Sequence, residues 1–168
     1  MKWSTSNAVF VTEIDDEHKG IFEAIADCRE SFISGCDLRR IRNATERLAN
    51  RIREHFAHEE RLMRAARYGS LRWHKQSHDS ARRRVKGFVL RIERDDRQAG
   101  TELIEYLTSW LHDHTQLADR MMASALRNHL RCVGKLTFRA GTKSADACGW
   151  VTVNGEAFDP AARDAGSL

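Results

Sequence analysis

The sequence predicts an all-α protein: an up-down-up-down four-helix bundle with an extended N-terminal arm and a short C-terminal appendage. Three observations carry this prediction. Four successive segments repeat apolar residues at intervals of three and four, the period of an amphipathic helix. Short Gly-containing or polar turns separate them, which suits antiparallel neighbours. The single proline, Pro160, lies near the C-terminus, so no ring interrupts the helices before it.

The arm, from Met1 to about Asp16, includes Trp3, Val9, Phe10, Val11 and Ile14. It has no sustained period and reads as a strap laid on apolar surface. The first helix is expected over roughly residues 16–34, capped by Asp15 or Asp16 and ended by Gly35, with His18, Ile21, Phe22, Ile25, Arg29 and Phe32 near one stripe. A second helix, about 38–67, turns Ile41, Ala44, Leu48, Ile52, His55, Glu59 and Leu62 inward before Gly69-Ser70. The third, about 71–96, repeats His74, His78, Ala81, Val85, Phe88 and Ile92. Thr101 is a fitting N-cap for the fourth, which runs to about Asn128 through Ile104, Leu107, Leu111, His114, Ala118, Met121, Met122 and Ala125. The chain divides into a bundle over residues 1–129 and an extension over 130–168. The extension is Gly-rich and carries Trp150-Val151-Thr152-Val153 before Asn154-Gly155, the pattern of a small hairpin, with a disordered tail as the alternative.

Composition narrows the function classes. A chain of 168 residues with 41% hydrophobic and 31% charged content is that of one globular domain with a core of its own. No run approaches the roughly 18 apolar residues of a membrane span, and the N-terminus lacks the basic-then-apolar pattern of a secretory signal. A cytoplasmic protein is expected. The net charge is +4 and the isoelectric point near 9.1. Arg39, Arg40, Arg42 and Arg82–Arg84 are clustered, but acidic residues are interspersed through the helices, so a solvated surface is expected and neither nucleic acid nor membrane as partner. Cys28, Cys36, Cys132 and Cys148 form no CxxC pair and read as free thiols, with one bridge near the C-terminus as the alternative.

The chemistry lies on the inward faces. His55 and Glu59 stand four residues apart on one face of the second helix, as His74 and His78 do on the third. His18 comes from the first helix, and His114 with Asp119 from the fourth. One inward histidine is usually a hydrogen-bonded core residue. Seven buried polar groups without partners would each cost about 1–3 kcal/mol, so the set as a whole needs a ligand. Imidazoles with carboxylates suit iron, manganese or zinc, and seven donors exceed what one tetrahedral ion takes. Two metals sharing carboxylates account for them. His114 and Asp119 are five residues apart, about 140° on a regular helix, so a π-type turn between them is expected. His112 and His129 fit no ligand position and are expected in solvent; His58, beside His55, is a candidate for supporting a ligand.

Asp16-Glu17-His18-Lys19, His55-Phe56-x-x-Glu59-Glu60-x-x-Met63, His74-x-x-x-His78 and Trp110-Leu111-x-x-His114-x-x-x-x-Asp119 together resemble the hemerythrins, specifically the single-domain bacterial branch. The likeness covers about residues 1–128 and matches all seven ligand positions. It implies a non-haem di-iron centre that binds O2 reversibly and serves as an oxygen carrier, store or delivery protein rather than an enzyme. His74, His78 and His114 would hold one iron and His18 and His55 the other. Glu59 and Asp119 would bridge the irons together with an oxide or hydroxide. O2 would bind at the open position on the His18–His55 side, with no change in the net charge of the site.

Reversible binding needs a dry pocket, which Ile21, Phe56, Trp110 and Leu111 are placed to supply. Thr115 stands where the family commonly has Ile, and a hydroxyl there is expected to hasten autoxidation unless it bonds back to its own helix. An O2 or redox sensor and a peroxidase or nitric-oxide-handling protein are the alternative uses of such a centre. A ferritin-like oxidase would need ExxH motifs, and the sequence contains none. The extension over 130–168 is the segment with room for a protein partner.

Overall fold

The computed structural model describes residues 3–133, 151–153 and 156–158, with side chains over 3–130. Four long helical elements form a closed square in which each packs chiefly on two neighbours. They are α1 (Thr12–Ile33), α2 (Leu38–Ala65), α3 (Leu71–Glu93) and a composite fourth. The last consists of α4 (Gln98–His114), a π-helical turn (Thr115–Asp119) and α5 (Arg120–Val133). The antiparallel register shows in contacts between neighbours. Glu17 meets His55 and His58, Arg82 meets Glu60, and Arg91 meets Glu102.

The helix ends follow local chemistry. Asp37 caps α2 by accepting from the Arg40 amide at 2.8 Å. Gly35 closes α1 at φ +63°, a left-handed conformation that costs glycine least. Two starts differ from expectation. The first helix begins at Thr12, because Asp15 lies inside its first turn and reaches back to the amides of Val9 and Phe10, at 2.8 and 3.0 Å. That bond fixes the arm. Helix α4 begins at Gln98, three residues before Thr101, with Asp96 accepting from the Ala99 amide. Beyond the bundle, β1 (Val151–Val153) and β2 (Glu156–Phe158) pair antiparallel, with Val151 opposite Phe158.

The core is divided by a polar layer. On one side lies the larger apolar cluster, with Ile25, Leu48, Phe56, Phe88, Leu103 and Leu111. On the other lies a smaller one, in which Val9, Val11 and Ile14 of the arm side meet Leu62, Met63, Met122 and Leu126. The polar layer between them holds the candidate site. Charge on the outside is less mixed than expected: α2 and α3 carry fifteen Lys and Arg against six Asp and Glu, while α1 and α4 carry two against ten. Among the described residues no helix is long and apolar enough to cross a membrane. Cys28 and Cys36 are free thiols, while Cys132 and Cys148 lie outside the residues with described side chains.

Candidate metal centre

All seven predicted donors are buried in one layer. His18, Glu59, His74, His78 and Asp119 have no exposed surface, and His55 and His114 almost none. Their donor atoms form two overlapping groups, each within 4.8 Å: Glu59, His74, His78, His114 and Asp119 in one; His18, His55, Glu59 and Asp119 in the other. The helices deliver them by ordinary spacing except at Asp119. There the π turn adds one residue per turn, and Asp119 comes onto the face of His114, with 3.1 Å between Asp119 Oδ1 and His114 Nε2.

Each shared carboxylate divides its two oxygens between the groups. Glu59 Oε2 lies 3.1 Å from His78 Nε2 and 3.4 Å from His74 Nε2, while Oε1 faces His55 Nε2 at 3.7 Å. Asp119 Oδ1 lies 3.2 Å from His74 Nε2, while Oδ2 faces His18 Nε2 at 3.4 Å. None of the four oxygens has a hydrogen bond, and neither does His18 Nε2 nor His55 Nε2. His114 Nε2 also sits 3.0 Å from His74 Nε2 and 3.1 Å from His78 Nε2. Ring nitrogens that face one another and bare carboxylates in a dry core are stable only around cations, so the residues fit a pair of metal ions.

The electrostatics agree. Burial pushes both carboxyls up, yet the surrounding imidazoles hold Glu59 and Asp119 well below the usual carboxylate range. Burial opposes protonation of His74, but Asp119 and Glu59 outweigh it and raise its pKa to about 9 in the metal-free chain. His18 is raised in the same way, whereas burial keeps His78 lowered.

Three of the five rear nitrogens find partners that the sequence did not reveal, while His18 Nδ1 and His74 Nδ1 have no hydrogen bond. Glu17 accepts from His55 Nδ1 at 2.9 Å and, with its other oxygen, from His58 Nδ1 at 2.6 Å. His58 therefore supports His55 through a shared carboxylate. Ser77 Oγ lies 3.3 Å from His114 Nδ1, and Glu60 Oε1 lies 3.4 Å from His78 Nδ1 while also taking Arg82 at 2.8 Å. Such partners fix the tautomer so that Nε2 faces the metal. The signal for them was adjacency: Glu17 precedes His18, Ser77 precedes His78 and Glu60 follows Glu59. His112 is exposed as expected, but His129 is half-buried.

The expected pocket residues form one apolar wall. Ile21, Phe56 and Leu111 are buried together with Trp110 packed on them. Phe56 stacks on His78 at 4.0 Å and Trp110 on His114 at 4.1 Å. Buried Thr115 donates its hydroxyl proton to the His112 carbonyl at 3.1 Å, which commits that proton to its own helix.

Comparison with known proteins places this geometry. Residues 9–126 match the Hemerythrin HHE cation binding domain. Myohemerythrin-1 of Phascolopsis gouldii is 31% identical over 70% of this chain and 87% of its own length. Bacteriohemerythrin of Pseudomonas aeruginosa strain LESB58 is 30% identical over 76% of this chain and 82% of its own. A crystal structure of wild-type hemerythrin superposes with a TM-score of 0.70 at 21% identity, over 75% of this chain and 97% of that one, which is a likeness of fold. A four-helix bundle of this shape, with a family match that spans residues 9–126, makes the chain a member of the hemerythrin family.

Proposed function

We propose that this chain binds O2 reversibly at a di-iron centre held by His18, His55, Glu59, His74, His78, His114 and Asp119, and that it is an oxygen carrier, store or delivery protein rather than an enzyme. Hemerythrins are O2-binding proteins with two iron ions as cofactor, and this chain has the His, Glu and Asp cluster for them. The observation that carries the reading is the division of each carboxylate: one oxygen of Glu59 and one of Asp119 face three imidazoles, and the other oxygens face two. When bound, the iron pair supplies the electrons that hold O2 and recovers them on release.

The chain's own residues do the rest. His74, His78 and His114 with two carboxylate oxygens make five donors; His18 and His55 with the other two make four. The side one donor short is the side for O2. Glu17 holds the His55 ring with Nε2 inward. Ile21, Phe56, Trp110 and Leu111 exclude water, and a dry wall withholds the protons that would turn binding into oxidation. Thr115 completes the wall, its proton engaged with His112. We place the chain in the cytoplasm, in keeping with unpaired Cys28 and Cys36. Residues 130–168 we assign to a separate extension, open to a protein partner, since the family match ends at residue 126.

The test is an optical spectrum of the iron-loaded protein, reduced without air, exposed to O2 and then purged. A charge-transfer band that appears with O2 and disappears on purging is the expected result. A ferric spectrum that persists after purging would overturn reversible binding.

A further inference from the structure

We propose that a cleft of about 670 Å³ on the outer face of the α2–α3 pair is a binding site for a free single-chain aliphatic carboxylate. The cleft lies outside the donor layer. Its volume is that of a small-molecule site, and its floor is apolar, with Ala49, Val85, Val89 and Leu90 along it. Leu90 is 43% exposed, so apolar surface of the cleft is open to solvent.

The charges at the rim are not evenly spread. The register set by the Arg42–Glu93 and Arg82–Glu60 contacts puts Arg53 level with Val85 and Lys86, and Glu46 level with Ile92 and Glu93. One end of the cleft is therefore cationic, with Arg53, Arg82 and Lys86. The other end carries Glu46 and Glu93 against one cation, Arg42, whose guanidinium donates to the Glu93 carbonyl, so this end is net acidic. From Lys86 to Glu93 the helix rises about 10 Å, the reach of a medium acyl chain. A cationic end, an apolar middle and an acidic far end together select a ligand with one anionic head and an uncharged tail.

The field of the whole bundle points the same way. The cleft opens on the helix pair with the large excess of Lys and Arg, so an anion is drawn to this side of the molecule and repelled from the α1–α4 side. Arg82 already holds Glu60 and Asp79 at 2.8 Å each and lies 5.2 Å from the Phe56 ring, so Arg53 and Lys86 are the cations left for the head.

The experiment is calorimetric titration of the full iron-loaded chain with decanoate, held below its micelle concentration. Saturable one-to-one binding is expected. Arg53→Glu with Lys86→Glu should weaken it at least about tenfold, the loss of one or two charge-assisted contacts. Val89→Arg, which places a charge in the apolar middle, should weaken it similarly, with circular dichroism confirming that each variant folds. Decanedioate should bind less tightly, because its second carboxylate would meet Glu46 and Glu93. The proposal is overturned if decanoate does not saturate, if decanol binds as tightly, or if charge reversal has no effect. It also fails if sedimentation shows that a second copy covers this face and the contact is lost in the charge-reversed variant. The O2 spectrum is independent of all these outcomes, so failure here leaves the proposed function standing.

Discussion

The two halves of the donor layer share two carboxylates but differ in construction. The His74–His78–His114 half is crowded: its Nε2 atoms approach to 3.0–3.1 Å, and Phe56 and Trp110 stack on two of its rings. The His18–His55 half is sparer. Its rings meet edge to face at 4.7 Å, and its outer support is a single carboxylate, Glu17, shared with His58. Rigid packing on one side and one polar tether on the other divide the labour. On the proposed function, the crowded half would hold its ion permanently and the spare half would let its ion take a ligand.

The largest effect that could break this comparison comes from removing a histidine. His74 is the only imidazole in contact with both carboxylates, at 3.4 Å from Glu59 and 3.2 Å from Asp119. His74→Ala should therefore deplete both irons, whereas His18→Ala should keep about one iron per chain. Iron analysis of the purified variants checks this, and equal contents would erase the distinction between halves.

Glu17→Gln should act next, on the spare half only. Loss of a charged partner behind a metal-bound imidazole typically weakens affinity about 10–100-fold, so one of two iron-binding phases should move and the other should not. Competition with a chelator resolves the two. A shift of both phases would mean that the halves are coupled more tightly than their separate supports imply.

Proton linkage offers a milder probe. In the metal-free chain His74 titrates near 9 instead of its ordinary 6.5, so its contribution is complete below pH 6.5 and is lost as pH rises through about 9. Glu59 and Asp119 are lowered from 4.5 and 3.8, so their contribution is lost as acid protonates them below that range. Thermal melts of the metal-free chain should fall off on both sides. With iron bound the imidazoles are already neutral, and the alkaline loss should disappear. An alkaline limb that persists after loading would count against His74 as a ligand.

Ser77→Ala should be the smallest. Its contact with His114 is neutral and 3.3 Å long, worth under about 1 kcal/mol, so iron affinity of the crowded half should change by less than about fivefold. A larger change would show that this half depends on its outer contacts after all.

Much of this was written in local spacing. The period of three and four placed the helices, and His55–Glu59 and His74–His78 at four residues shared faces that only a buried ligand could justify. The five-residue step from His114 to Asp119 foretold the π turn that the backbone adopts. What the sequence withheld depends on register between helices. Glu17 and His58 lie 41 positions apart, and only the antiparallel packing of α1 on α2 brings them within 2.6 Å. The segregation of charge onto opposite helix pairs was hidden for the same reason, since it needs the order of helices around the square. The early starts of α1 and α4 escaped because Asp15 and Asp96 bind backbone from positions unlike the expected caps.

The π turn has a consequence for how the fourth helix can change its length. Up to His114 the inward stripe runs through Leu103, Leu107 and Leu111; past the turn it resumes at Asp119, Met122 and Leu126. The extra residue resets the phase of everything that follows by about 100°. Deleting any one residue between 115 and 119 would let the backbone relax into a regular helix with better hydrogen bonds. It would leave Asp119 four residues after His114, on the same face, and keep Met122 and Leu126 turned toward the smaller apolar cluster. At its present length a regular helix would instead set Asp119 about 140° from His114 and out of the donor layer, so the length of the segment and the π turn belong together.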